Sequence, residues 1–169
     1  NPYGDSKWMV ERMLADAARA YGLRSVALRY FNAAGAAPAD GIGESHTPET
    51  HLIPNVFRAI LGTGQALKVF GDDYPTRDGT CIRDYVHVLD LAAAHARALD
   101  WMQAHEGAHV FNLGNGEGFS VREVIHAAER VAGSRVPHTM AARRAGDPAV
   151  LVASSQRARQ QLGWQPRHA

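Results

Sequence analysis

Runs of β-branched and aromatic residues alternate with helix-period segments along this chain, and glycine punctuates most of the changes. No other feature restricts its fold so strongly. Met9, Val10, Met13, Leu14, Ala17 and Tyr21 recur at helical spacing, and Gly22 supplies a stop. Residues 25–30 (SVALRY) then read as a strand. Leu52, Ile53, Val56, Phe57, Ile60 and Leu61 mark a second helix closed by Gly62, after an irregular surface excursion over 41–50. Residues 67–70 read as a short strand and 71–79 as a loop. A further strand over 82–87 leads into an Ala-rich helix from 90 to 105, and 110–113 follows as a buried strand. Ser120 and Glu123 have capping-box spacing for a helix through Val131 that ends at Gly133. After a weak strand at Leu151-Val152, Ser154 or Ser155 caps a last helix toward Leu162. Strands alternating with helices of this length predict an α/β fold.

Composition narrows the function. A chain of 169 residues, 46% hydrophobic and 21% charged, carries enough apolar material for a folded core. Its net charge of +1 supplies no broad basic field, which argues against nucleic acid as a partner. Apolar runs such as 92–94 are short and interrupted by charge, so no membrane partner is expected, and no signal peptide is visible. Cys81 is the single cysteine and cannot form an internal disulfide, which suits a reducing cytoplasm. The chain opens on Asn1-Pro2-Tyr3 without an initiator Met, already inside a motif-like stretch, and reads as a piece of a longer protein.

Tyr3-Gly4-Asp5-Ser6-Lys7 is the sharpest local signal, because Tyr3 and Lys7 at i and i+4 share one helical face. An ammonium beside a phenol stabilises the phenolate, as a phenolic general base requires. Tyr-x-x-x-Lys also occurs by chance in ordinary helices. Gly114-Asn115-Gly116-Glu117-Gly118 stands where a dinucleotide fingerprint would, yet its spacing departs from that fingerprint and no acidic residue follows at the right distance. It reads as a tight turn using glycines for φ > 0, so a complete dinucleotide site is not expected here. The nine histidines are scattered without metal-ligand spacing, and no metal is expected. Arg83 and Arg144 each lie in a polar cluster. Guanidinium forks suit phosphate oxygens, but surface ion pairs would look the same in sequence.

The segments NPYGDSK, ALRYFNAAGA, KVFGDDYPTRDGTCIRDYVHVLDLA, VFNLGNGEGFSV, ARRAGDPA and QLGW together resemble, in order, the UDP-glucose 4-epimerases of the extended short-chain dehydrogenase/reductase family. FGDDYPTRDGTCIRDYVHV is the most specific of them. Sister dehydratases and decarboxylases tend to show a different signature where this chain has Arg29-Tyr30-Phe31-Asn32-Ala33-Ala34-Gly35. The resemblance implies NAD on a doubly wound Rossmann sheet and a UDP-sugar in a smaller α/β substrate-binding domain. By it, residues 1–32 end the NAD-binding domain, 33–169 mainly bind UDP-sugar, and a segment near 85–114 returns to the Rossmann sheet. Tyr3 would be the catalytic base and Lys7 would bind the nicotinamide ribose, with Tyr30 and Phe31 also beside the cofactor. Asn32 would lie near the diphosphate, and His51 and Leu52 would contact substrate, although other members carry Asn where His51 stands. Lys68 and Phe70 would flank uracil. Arg83 and Arg144 would bind the diphosphate, Tyr85 would line the site, and Asp147 would meet the uridine ribose. Leu151 occupies a position whose size bears on N-acetylated sugars.

That likeness implies C4 epimerisation of UDP-glucose and UDP-galactose by a cytoplasmic homodimer in the full-length protein. The glycine-rich NAD loop and a catalytic Ser/Thr would belong to a preceding half, leaving this stretch inactive alone. Another nucleotide-sugar epimerase or dehydratase of the superfamily, or a non-catalytic nucleotide-sugar-binding module, stays open on sequence alone.

Overall fold

The computed structural model describes residues 2–168; Asn1, the first residue of the NPYGDSK segment, and Ala169 lie outside the described residues. The chain divides into two compact units.

The first unit comprises Asn1–Ala33, Val86–Asn115 and Ala153–Ala169. Its first element is helix α1 (Pro2–Tyr21), followed by strand β1 (Ser25–Tyr30). Strand β2 (Asn32–Ala34) leads out of the unit and β5 (Tyr85–His87) leads back in. Helix α3 (Val88–Ala104) and strand β6 (Ala108–Leu113) complete it. β1 and β6 run parallel from Ser25↔Ala108 to Tyr30↔Leu113, the pairing a crossover connection allows. Val86, Leu91, Ala94, Phe111, Leu113, Ala158, Leu162 and Trp164 form the core, with Val26, Leu28 and Trp101 packed against it. The Ala-rich helix starts two residues earlier than its composition suggests, because the His87 ring accepts the Leu89 N–H and so caps it. Near the carboxyl end, helical residues begin directly after Ser155, whose carbonyl accepts the Arg159 N–H at 3.0 Å. The Ser155 hydroxyl donates to the Gly114 carbonyl at 2.9 Å, and Ala158–Leu162 winds as a wider π-turn closed by Gly163.

The second unit comprises Ala34–Tyr85 and Gly116–Val152. Helix α2 (Leu52–Leu61), strand β3 (Leu67–Phe70), helix α4 (Val121–Ala132) and strand β8 (His138–Ala141) form its main body. β3 and β8 run parallel from Leu67↔His138 to Phe70↔Ala141. A second small sheet places β4 (Ile82–Arg83) between antiparallel β7 (Phe119–Ser120) and parallel β9 (Val150–Leu151). Val56, Ala59, Leu67, Val69, Ile125, Ala128 and Val136 make this unit's core. The strand expected over 82–87 is two strands, broken at the fully buried Asp84, whose carboxylate accepts from the Gly116 N–H. The capping box forms as spaced: Glu123 N–H donates to the Ser120 hydroxyl at 3.1 Å and Ser120 N–H returns a bond to Glu123 at 2.8 Å. Gly116 and Gly118 both have positive φ, and a Cβ on Gly118 would meet Val152 Cγ2 at 2.5 Å, so packing and turn geometry account for these glycines. Among the described residues no helix is long and apolar enough to cross a membrane.

Candidate functional site

In the first unit, Tyr3 and Lys7 occupy the opening turns of α1. Tyr3 is 75% exposed, and Lys7 Nζ lies 5.2 Å from the centre of its ring. The i, i+4 spacing therefore brings ammonium and phenol onto one open face. Arg29 ties this helix to β1 by donating from Nε to Glu11 at 2.6 Å, and Glu11 correspondingly raises the Arg29 pKa. β1 delivers Tyr30 and Phe31 at its carboxyl end, the end where ligands bind in parallel α/β sheets. Both rings are partly exposed, with Tyr30 edge-on to His95 at 6.5 Å. Asn32 opens β2 and is half-buried. These groups offer a phenol, an ammonium and partly exposed aromatic surface within one unit.

The second unit holds the remaining candidates, including His51 and Leu52 at the start of α2. On β3, Leu67 and Val69 point into the core while Lys68 and Phe70 share the other face, as strand alternation requires. The Arg144 guanidinium lies over the Phe70 ring at 3.9 Å. Arg83 stands opposite Leu151 in the β4–β9 register. Its guanidinium donates to Asp147 at 2.8 Å, to the Ile82 carbonyl at 2.8 Å and to the Pro148 carbonyl at 2.9 Å. The two arginines are thus unequal. Arg83 is largely buried and already paired, whereas Arg144 has no carboxylate partner among the described residues. The Cys81 thiol lies in the field of both, yet burial above all, with Asp147, holds its pKa above the ordinary value against Arg83 and Arg144. Burial also pushes the Tyr85 phenol up to about 12, aided by Cys81 and opposed by Arg83. Leu151 remains partly exposed at 37%.

His51 and Leu52 have other engagements. Leu52 packs against the core of its unit. His51 is the residue before α2, and both its N–H and its ring Nδ1 bond the Glu49 carboxylate, at 2.7 and 2.8 Å. Glu49 is held below the usual carboxylate range chiefly by that His51 N–H. Glu44 approaches the same two residues, so one ligand atom from each lies within 4.8 Å of the others, a grouping that histidine spacing does not reveal. Glu49 is thus engaged by the His51 N–H and ring, and His51 itself makes no side-chain cap on α2.

Sequence spacing also does not single out the bracing of the 71–79 loop. Asp78 accepts from Thr80 N–H at 2.9 Å, from the Thr80 hydroxyl at 2.7 Å and from the Ser120 hydroxyl. Burial raises the Asp78 pKa, yet these bonds together hold it low. Arg77 reaches Glu123 at 2.7 Å and the Gly118 carbonyl at 3.0 Å. The Asp-Gly-Thr triplet was the available signal, since an Asp carboxylate commonly closes an Asx turn by accepting the backbone N–H two residues on.

The model of the NAD dependent epimerase/dehydratase family matches residues 1–114. This chain belongs to that family. It is 52% identical over 168 residues to the UDP-glucose 4-epimerase of Lacticaseibacillus casei, covering 99% of this chain and 51% of that one. Identity to the Azospirillum brasilense UDP-glucose 4-epimerase is 55% over 168 residues, covering 99% and 48%. Among solved structures, the Brucella ovis UDP-glucose 4-epimerase in complex with NAD superposes with a TM-score of 0.93 at 52% identity, over 98% of this chain and 51% of that one. The Bifidobacterium longum UDP-glucose 4-epimerase in complex with NAD+ and UDP gives 0.93 at 42% identity, over 100% and 51%. This family member therefore spans about half the length of the relatives it matches, and its α/β architecture is that of their extended Rossmann-like fold.

Proposed function

We propose that the full-length protein interconverts UDP-glucose and UDP-galactose by oxidation at C4, rotation of the 4-keto sugar and re-reduction. The Arg144–Phe70 stack carries this reading. The Phe70 ring at the end of β3 and the Arg144 guanidinium against it, which has no carboxylate partner among the described residues, suit a pyrimidine base and its diphosphate. Arg83 and Asp147, with Tyr85 and Leu151, supply further polar and shape contacts in the same unit, and Lys68 lies on the Phe70 face. Relatives of this chain are UDP-glucose 4-epimerases, one of them solved with NAD+ and UDP.

When bound, NAD supplies the hydride acceptor and donor. Tyr3 takes the proton from the C4 hydroxyl at its phenolic oxygen and later returns it, while Lys7 orients the cofactor ribose and holds positive charge near Tyr3. Tyr30 and Phe31 offer the nicotinamide side an apolar surface, and Asn32 lies next to them in sequence. His51 and Leu52 contact substrate in this reading, which for His51 means a ring that also holds Glu49. Binding energy spent on the UDP handle keeps the substrate bound while the sugar ring turns. A cytoplasmic homodimer fits the lone buried Cys81 and the exposed Trp8, Met9 and Met13 on α1.

The test is incubation of the full-length protein with UDP-galactose and no added reductant, followed by NMR of the sugar anomers. UDP-glucose should form without net NADH. NADH accumulating in proportion to product would replace the epimerase reading with a dehydrogenase.

A further inference from the structure

Arg143 adjoins Arg144 in sequence, yet its side chain is engaged elsewhere. Its Nε donates to Asp73 Oδ1 at 2.6 Å, a second nitrogen donates to the Asp73 carbonyl, and its guanidinium lies over the Tyr74 ring at 4.3 Å. Tyr74 is 5% exposed and covers Gly71. There φ is +82° and a Cβ would meet Tyr74 Cε2 at 2.5 Å and Arg143 Cγ at 2.8 Å, so this approach needs glycine. Gly71 N–H also donates to the Ala141 carbonyl at 2.8 Å, continuing the β3–β8 ladder just past Phe70. Beyond that bond the two strands diverge into loops, one leading to Asp73 and Tyr74 and the other to Arg143 and Arg144. Consecutive arginines thus seize different rings, Tyr74 and Phe70.

We propose that Arg143 is a positioning residue that clips these two loops together and thereby aims Arg144 across Phe70 at a nucleoside diphosphate. The inference rests on the nucleotide-sugar reading above. Electrostatics agree with the division of labour: Asp73 pairs with Arg143, while Arg144 has no carboxylate partner among the described residues. The Arg143–Asp73 pair is solvent-exposed, so it contributes little to global stability, but a forked and stacked guanidinium fixes direction.

In the full-length protein, Arg143→Ala should weaken UDP binding and raise the UDP-sugar KM about tenfold, the scale of coupling between contacting neighbours. Turnover at saturation and uridine affinity should stay near wild type. Arg143→Lys, which keeps charge without the fork, should not restore UDP binding. Arg143→Ala should cost nothing further in an Arg144→Ala background, because it acts through Arg144. Should Arg143→Ala fail to fold, Asp73→Ala, which removes the acceptor of the Arg143 Nε, carries the same expectations. Wild-type UDP binding, equal losses for UDP and uridine, or additive losses in the double variant would each overturn the clip. Failure of the underlying reading looks different: Arg144→Ala alone would then leave UDP binding unchanged.

Discussion

Tyr3 presents an exposed phenol with Lys7 Nζ 5.2 Å from its ring, on a face of α1 that the unit leaves open. In the full-length protein Tyr3→Phe removes the proton acceptor and keeps the ring, so turnover should fall by ~10²–10⁴ while UDP-sugar affinity changes little. Turnover near wild type in a steady-state assay would assign the base elsewhere. The i, i+4 relation behind this expectation was legible in sequence because helical geometry alone imposes it. The inequality of Arg83 and Arg144 was not. Both sit in polar clusters, and only the folded chain pairs Arg83 with Asp147, 64 residues away, while leaving Arg144 stacked on Phe70. His51 shows the same limit, since its spacing says nothing of Glu49 lying within hydrogen-bond reach.

Helices α2 and α4 stop where glycine follows, at Gly62 and Gly133, and α4 starts with the capping box written in its sequence. These are local devices, which is why they could be read off in advance. The start of α3 depends on more. Asp90 in its first turn is buried, its carboxylate accepts the N–H groups of Arg167 and His168 at 3.1 and 3.0 Å, and its carbonyl accepts from the Trp164 indole at 2.8 Å. Burial pushes the Asp90 pKa up, but the bonds from His168 and Arg167 together bring it below the ordinary 3.8. A folded-state pKa lower than the unfolded one means stabilisation that is present above 3.8 and lost as pH falls through the folded value. Docking of 164–168 should therefore persist at pH 5 and weaken below about 4. NMR shifts of the Arg167 and His168 amides should titrate with a midpoint below 3.8, and Asp90→Asn should abolish that step. A midpoint at or above 3.8 would show that these bonds do not hold the carboxylate.

Across the whole chain, the two units carry separate cores, one around Phe111 and Trp164 and one around Val56 and Ile125. Phe111 has no exposed surface and Ile125 is 2% exposed. Truncation should cost about 3–5 kcal/mol for Phe111→Ala and about 2–5 kcal/mol for Ile125→Ala, from lost burial and residual cavity. Hydrogen exchange resolved by residue should show each loss in the unit that carries the substitution; losses below about 1 kcal/mol would mean that the cores are loosely packed. The α/β class was determined by the sequence itself, because the 2.0 and 3.6 residue periods and the glycine stops are local and survive without any tertiary contact. So were the likeness to epimerases and the places of most elements. The likeness already implied a return near 85–114, but only the tertiary structure brought 153–169 into the first unit and left 116–152 in the second. It likewise broke 82–87 at Asp84, took the Ser155 hydroxyl for Gly114, and set Arg143 on Tyr74 beside Arg144 on Phe70. Each of these joins residues tens of positions apart or satisfies a buried polar group, and such choices follow from which surfaces exclude water together rather than from neighbours along the chain.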